Sequence, residues 1–259
     1  MNCSLVFTPF PSKCHLRSTQ SGRRIGVNLA TKFNLLGGLL AACMLIAGCG
    51  ETLFQSNFDS TPVNQPPSNT QQVGTANIFG DPPSSVIVVS PPVSPSGKWV
   101  QISRPDGQPP APIAGLQGNF SQFRDGGVYT FSATLFMPSG SGLATIQFEP
   151  FNQPVGTLTN FLHIDFTQDN RVRIDDNDNT KFGSFTRDQP FIVQVTLNIN
   201  ASSPTAHIVL SGATASGQTD YSILPAFRGL AQQFGAVRIW MGFPWTGKFQ
   251  ATNIVVTRQ

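Results

Sequence analysis

Apolar and polar residues alternate with a period of two along much of this chain. Between positions 129 and 137 the apolar residues occupy the odd positions, with threonine and serine between them. The same alternation recurs at 191–199 and 237–243, and on even positions at 146–148 and 206–210. Because successive side chains of a strand point to opposite faces, the pattern predicts strands with one buried and one wet face. Such strands are typical of antiparallel sheets.

Turn-forming sequences separate these stretches. Pro, Ser and Gly concentrate at 138–142, at 201–204 and at 211–212, and no long segment shows helical periodicity. Many short strands separated by turns about every 8 to 12 residues favour a sandwich or a barrel. The chain is therefore predicted to be all-β.

One hairpin can be placed in register from the sequence. If the apolar residues around 162–174 share one face, Phe166 lies opposite Val172, and 168–170 form a three-residue loop with Asn170 in the left-handed conformation. The same register predicts two pairs on the outer face, Asp165 with Arg173 and His163 with Asp175. We expect such exposed pairs to contribute about 0.2 to 1 kcal/mol.

Residues 60–84 and 91–97 are rich in Pro, Ser, Asn and Gln. Such segments can form disordered tethers. Apolar residues at 53–54, 86–89 and 99–102 flank or interrupt them, so we interpret them instead as long loops over a sandwich that begins near residue 52.

The first fifth of the chain has the pattern of an export signal. Fourteen uncharged residues, Leu35 to Gly48, follow a basic leader, and this run is too short to cross roughly 30 Å of hydrocarbon. Residues 45–49, Leu-Ile-Ala-Gly-Cys, resemble the lipobox of bacterial lipoproteins. The resemblance implies a signal peptide at 1–48, acylation of Cys49 with palmitate-type chains, and a lipidated end and short tether at 49–51. A plain signal peptide is the alternative.

The lipobox resemblance also implies a location and a partner. The protein is expected in the cell envelope, with membrane lipid as the partner of acylated Cys49. In lipoproteins of Gram-negative bacteria, an Asp at the position of Gly50 favours the inner membrane. Since Gly50 is not an Asp, the outer membrane is the expected destination if the organism is Gram-negative.

Charge and cysteine content both change at this boundary. Five basic residues and no acidic ones precede residue 50, which leaves 11 of the 16 basic residues against all 13 acidic ones, a net charge of −2. This balance argues against nucleic acid as a partner. All four cysteines lie at or before Cys49, so disulfides cannot staple the remainder. About 210 residues are sufficient for a core without them.

Five segments have the strand order and spacing of one known plan: LFQSNFDS at 53–60, GVYTFSATLFM at 127–137, PFIVQVTLNI at 190–199, AHIVLSG at 206–212 and IWMGFPWTGKFQATNIVVT at 239–257. Together they resemble the concanavalin A-like jelly roll of legume lectins, laminin-G domains and several glucanases. The resemblance implies an antiparallel β-sandwich over 52–259 whose concave sheet face carries the ligand in many relatives.

The carboxylates argue against catalysis. Beyond the signal peptide the chain has two glutamates, Glu51 and Glu149, and the Glu-x-Asp-x-x-Glu strand of the related glucanases is absent from the sequence. Glycoside hydrolysis needs two carboxyl groups that flank the bond. We therefore expect no enzyme activity and no catalytic residue, with a polysaccharide hydrolase or lyase as the less favoured alternative.

Three residues are candidates for ligand binding. Trp240 and Arg238 share the face opposite Ile239 and Met241, and Trp245 lies in the adjoining turn. Sugar CH faces stack on such rings, and an exposed Trp on a sheet is otherwise costly. The alternative is that the 60–84 segment packs over Trp240.

A second candidate set, Asp175, Asp176 and Asp178, offers oxygen ligands for a structural calcium ion, the one cofactor considered. The run lacks the Gly and Glu of an EF-hand loop, and a solvated hairpin turn is the alternative. The sequence thus predicts a lipid-anchored envelope protein with a non-catalytic sandwich that binds a glycan. A protein-interaction or envelope-scaffold module is the first alternative, and a polysaccharide-degrading enzyme is the second.

Overall fold

The computed structural model describes residues 50–80, 85–93, 97–105, 114–154, 159–200, 202–242 and 245–259. Nearly all of the regular structure in this part of the chain is β-strand, arranged in two antiparallel sheets. The first sheet contains β1 (Glu51–Ser56), β3 (Ser85–Val89), β4 (Trp99–Arg104), β6 (Val128–Phe136), β11 (Pro190–Asn198), β12 (Thr205–Gly212), β13 (Ala215–Ser222) and β15 (Gly247–Arg258). The second contains β2 (Thr75–Phe79), β5 (Ala114–Asn119), β7 (Ala144–Pro150), β8 (Leu162–Phe166), β9 (Val172–Ile174), β10 (Asn177–Phe182) and β14 (Phe234–Met241).

The strand order follows from the pairing registers. The first sheet runs β13-β12-β11-β6-β15-β4-β3, and β1 pairs with the second half of β15. The second runs β10-β9-β8-β7-β14-β5-β2. Between β13 and β14 the chain forms a 3₁₀ turn (Pro225–Phe227) and one turn of helix, α1 (Arg228–Ala231). The predicted all-β antiparallel sandwich is confirmed.

Phenylalanine rings join the inner faces of the two sheets. Phe131 of the first sheet meets Phe148 of the second edge to face, with ring centroids 5.4 Å apart. Phe166 and Phe249 stack across the same interface at 6.3 Å. All four are buried, because the alternation places each of them on the inward face. Aromatic burial of this extent supplies core stability to residues 50–259, which contain no cysteine.

The hairpin register predicted from the sequence is confirmed. Phe166 pairs with Val172, and Asp165 with Arg173. Asn170 has φ 61°, the left-handed conformation that the three-residue loop requires.

The outer face of the second sheet corrects one expectation. All seven residues of β7 are buried, and Asp165 is only 1% exposed, so the predicted wet face and exposed Asp165–Arg173 pair are wrong here. Part of the cover comes from the turn after β7, where the Gln153 carbonyl accepts a hydrogen bond of 3.1 Å from Gln117 Nε2.

The low-complexity segment 60–84 contributes to the sheets rather than lying only over them. Its β2 pairs with β5 and forms one edge of the second sheet. Earlier in the segment, the Asn64 N–H donates to the carbonyl of Val88 at 2.7 Å. The described part of this segment is therefore bonded into the sandwich.

The predicted signal peptide at 1–48 and the predicted acylation site Cys49 lie outside the described residues. Within the described ranges, which all belong to one unit spanning 47–259, no helix is long and apolar enough to cross a membrane.

Candidate functional site

A row of planar polar side chains crosses the outer face of the second sheet. Consecutive partners in the row face each other directly across neighbouring strands. The row consists of Asn77 on β2, Gln117 on β5, Arg238 on β14, Gln147 on β7 and His163 on β8. Since strands lie about 4.8 Å apart, it extends over roughly 19 Å. We call these five residues the polar row.

The centre of the polar row is buried and ion-paired. Arg238 lies 2.9 Å from Glu149, and both side chains are fully buried. Arg238 also donates a hydrogen bond of 2.9 Å to Gln117 Oε1. Burial raises the pKa of Glu149 to about 7, against the opposing effect of the Arg238 charge. The centre is therefore not open to a ligand in this conformation.

The three predicted ligand residues differ in exposure. The ring of Phe79, which lies in the 60–84 segment, is 5.1 Å from the Arg238 guanidinium carbon and covers it. Trp240 lies on the same face as Arg238 and is partly exposed. Trp245 precedes β15 and packs partly buried against the core. None of the three is among the described residues that line the cleft beside His163.

A cleft of about 360 Å³ opens at the His163 end of the polar row. Its wall combines polar groups from the second sheet with apolar side chains from the segment between β13 and β14. The described lining residues are Thr159, Asn160, His163, Asp175, Leu224, Phe227 and Leu230. We call it the His163 cleft. Its volume lies within the range of small-ligand sites, about 300 to 1,000 Å³.

Hydrogen bonds fix the polar wall of the His163 cleft. Asp175 accepts one bond of 2.9 Å from the His163 backbone N–H and another of 2.7 Å from the Tyr221 hydroxyl. Burial and the Asp175 carboxylate together raise the pKa of Tyr221. Nε2 of His163 makes no hydrogen bond, although it lies 3.2 Å from a carboxylate oxygen of Asp176. The imidazole thus lines the cleft while its Nε2 is buried near the carboxylates of Asp165 and Asp176.

The acidic run after β9 forms a tight two-residue turn. Asp175 and Asp176 have φ 52° and 56°, the left-handed pair of a type I′ hairpin. The guanidinium of Arg173 contacts Asp176 at 2.7 Å and Asp178 at 3.3 Å. The hairpin turn weighed as the alternative to a calcium loop is therefore present.

Some of the side chains around this turn could hold a metal ion, but they are not the set predicted for calcium. One ligand atom each from His163, Asp165 and Asp176 lie within 4.8 Å of one another, a donor set that suits a transition metal better than calcium. Of the predicted calcium ligands, only Asp176 belongs to this set. Since Arg173 already contacts Asp165 and Asp176, an ion at these carboxylates would compete with its guanidinium. Calcium at Asp175, Asp176 and Asp178 stays a prediction.

The sequence interpretation missed the apolar wall of the His163 cleft. Leu224, Phe227 and Leu230 follow the last residue of β13 and recur every three positions, a helical spacing that signals a short helical turn with one apolar side. Thr159 and Asn160 belong to no strand, and the alternation pattern gave no indication of them.

Comparisons with known proteins identify the fold. No family model matches this chain, and no curated protein is similar to it. Among solved structures, an endo-β-1,4-glucuronan lyase from the fungus Trichoderma reesei aligns over 80% of this chain and 95% of its own, with a TM-score of 0.51 and 9% identity.

Two plant proteins align over similar shares. Lectin I from Ulex europaeus, solved with the methyl glycoside of α-L-fucose, covers 80% of this chain and 97% of its own, with a TM-score of 0.48 and 11% identity. Arcelin-5, a lectin-like defence protein from Phaseolus vulgaris, covers 81% and 98%, with a TM-score of 0.47 and 10% identity. At such identities, likeness concerns the fold alone. The jelly-roll sandwich is therefore established, and any activity must be argued from the site.

Proposed function

We propose that this protein is a lipid-anchored envelope protein whose sandwich binds carbohydrate without catalysis, and that the His163 cleft holds the sugar. The observation that carries the proposal is the composition of the cleft wall. Planar polar groups, including the His163 imidazole and the Asp175 carboxylate, face the apolar side chains of Leu224 and Phe227 across about 360 Å³.

A sugar ring matches this wall chemically. Its hydroxyl groups donate and accept hydrogen bonds, which suits a wall that carries an imidazole and a carboxylate of fixed orientation. Its CH faces are apolar and pack on rings such as Phe227. Leu224, 44% exposed, is one of the few large apolar side chains that the described surface leaves open, and a ligand would cover it.

The carboxylates near the cleft support binding rather than hydrolysis. Asp175 is the one carboxylate among the described lining residues, and each of its oxygens already accepts a hydrogen bond. Glu149 is buried against Arg238. Neither Asp175 nor Glu149 is therefore a free carboxyl group of the kind that glycoside hydrolysis uses in pairs.

A lyase is the second candidate function, favoured by one observation. His163 is among the described residues that line the cleft, and an imidazole is a common general base for removal of a proton from a substrate. The Tyr221 hydroxyl is a poor base here because the neighbouring Asp175 holds its proton.

A glycan array tests the proposal. We expect the purified chain to retain at least one class of bacterial surface or cell-wall glycan, and His163→Ala to weaken that binding at least tenfold. His207→Ala is the matched control, because His207 is an exposed residue of the first sheet that pairs with Asp220. No retained glycan, or equal binding by His163→Ala, would overturn the proposal in favour of a protein-interaction module. Release of unsaturated or newly reducing products would favour the enzyme.

The anchor is tested separately. Metabolic labelling with a palmitate analogue is expected to mark the chain, and Cys49→Ser to abolish the label. Two or three acyl chains, at about 0.8 kcal/mol per buried methylene, are sufficient for stable attachment to a membrane.

A further inference from the structure

The first strand of the sandwich begins almost at the predicted acylation site. Only Gly50 separates Cys49 from Glu51, the first residue of β1. A residue spans at most about 3.3 to 3.6 Å, so the two-residue step reaches roughly 7 Å. A lipid on Cys49 would therefore hold the starting end of β1 at the surface of the bilayer.

The loop at residues 121–126 is bonded to that same end. Arg124 binds the Glu51 carboxylate at 2.7 Å, and the side-chain amide of Gln122 donates to the same carboxylate. Phe123, between them, is 39% exposed. Its ring also contacts Phe151, with centroids 5.6 Å apart. An exposed aromatic ring is thus fixed beside the residue that follows the tether.

We infer that the 121–126 loop is a membrane-contacting surface and that Phe123 inserts into the bilayer interface. The inference rests on the acylation of Cys49 proposed above. Exposed apolar side chains such as Phe gain from burial at the boundary between headgroups and acyl chains, and the short tether leaves the loop no room to move away from it.

Charge at this end favours apolar over electrostatic contact. Glu51 and Arg124 neutralise each other. Arg258 donates hydrogen bonds to the backbone carbonyls of Gly126 and Asp125. These bonds place its positive charge at the 121–126 loop, which also carries the Asp125 carboxylate. Two acidic and two basic residues leave no net charge. We therefore expect the contact to depend weakly on salt and on anionic lipid.

The cysteine content of the chain allows a direct test. Cleavage before Cys49 would remove the other three cysteines, so an introduced thiol is the only one free for labelling. Phe123→Cys places an environment-sensitive NBD dye on the loop. Ser121→Cys is a second position on the same loop, for use if Phe123→Cys does not fold. Ala213→Cys is the control. Ala213 is exposed and follows the end of β12 that lies farthest from the 121–126 loop.

The acylated full chain is reconstituted in phosphatidylethanolamine–phosphatidylglycerol vesicles containing nitroxide-labelled lipid. We expect quenching of the dye at position 123 or 121 to exceed that at 213 at least threefold, with little change in high salt. Equal quenching at both ends of the sandwich would overturn the inference. Mass spectrometry of Cys49 separates the two proposals, because an unacylated Cys49 refutes the anchor itself, whereas an acylated protein with an unquenched loop refutes only the docking surface.

Discussion

The hydroxyl of Tyr221 donates a hydrogen bond of 2.7 Å to the carboxylate of Asp175. Tyr221 belongs to β13, the edge strand of the first sheet, whereas Asp175 forms the turn after β9 in the second. The bond therefore joins the two layers at the mouth of the His163 cleft. Asp175 also accepts a hydrogen bond from the His163 backbone N–H, so the same carboxylate holds His163 in place relative to Tyr221.

Tyr221→Phe is expected to destabilise the fold by about 1.5 to 3 kcal/mol, the range for a hydrogen bond to a charged group. Urea unfolding measures the change. The matched control is Asp220→Asn, which disrupts an exposed pair with His207 and should cost less than about 1 kcal/mol. Equal losses in the two variants would show that the Tyr221 bond has no special role.

Glu149 gives a pH dependence with a defined sign. Its pKa in the folded protein is about 7, above its ordinary value of 4.5. Between these values the unfolded chain loses the proton while the folded protein keeps it, so the free energy of unfolding falls as pH rises. The total loss is on the order of 3 kcal/mol, complete above about pH 7.

The variant Glu149→Gln isolates this contribution. Because Gln resembles the protonated carboxyl, the variant should be about as stable as the unmodified chain near pH 5. The fall between pH 5 and pH 8 should be smaller by on the order of 3 kcal/mol than in the unmodified chain. If the free energy of unfolding changed equally with pH in the two proteins, Glu149 would not be a buried carboxyl with a raised pKa.

Gly235 is required by the close approach of the turn after β7. A Cβ at this position would lie 2.4 Å from the backbone Cα of Phe151, which cannot move as a flexible side chain would. We expect Gly235→Ala to cost about 1 to 3 kcal/mol. In Gly229→Ala the new methyl meets nothing within 4 Å, and calorimetry should show a change of under about 1 kcal/mol. If Gly235→Ala left the free energy of unfolding unchanged, the turn after β7 would pack differently from the contact given above.

Arg173 balances the acidic turn beside the cleft. It contacts the buried Asp165 at 2.9 Å, and burial raises the pKa of that carboxyl. Arg173→Ala should cost about 3 to 5 kcal/mol, because a buried charge loses its partner. Lys181 contacts exposed Asp169 and Asp178, and Lys181→Ala should cost less than about 1 kcal/mol in the same denaturant titration. Comparable costs would place Asp165 in contact with solvent.

The sequence predicted the fold better than the site, for a physical reason. Alternation reports which face of a strand is buried, so it located the core and even the pairing of Phe166 with Val172. It could not report that Phe79 and the turn at Gln153 cover the opposite face, because that depends on packing between distant segments. Arg238 therefore looked accessible in the sequence and is buried in the fold.

The cleft was missed for the same reason. His163 and Asp175 were predicted to face each other, but as surface decoration of a hairpin. Their surroundings also include Leu224 and Phe227, which lie 49 to 64 residues later in the chain. Only the three-residue spacing of those apolar positions could have indicated a helical turn at the edge of the sheet.

The most direct test of the account is an NMR titration of the isotope-labelled chain with the oligosaccharide selected on the array. We expect the largest chemical-shift changes at the side-chain amide of Asn160, the imidazole of His163 and the backbone of 224–230, with Trp240 and Trp245 unchanged. Shift changes confined to the two indoles, or no change at saturating sugar, would contradict carbohydrate binding at the His163 cleft.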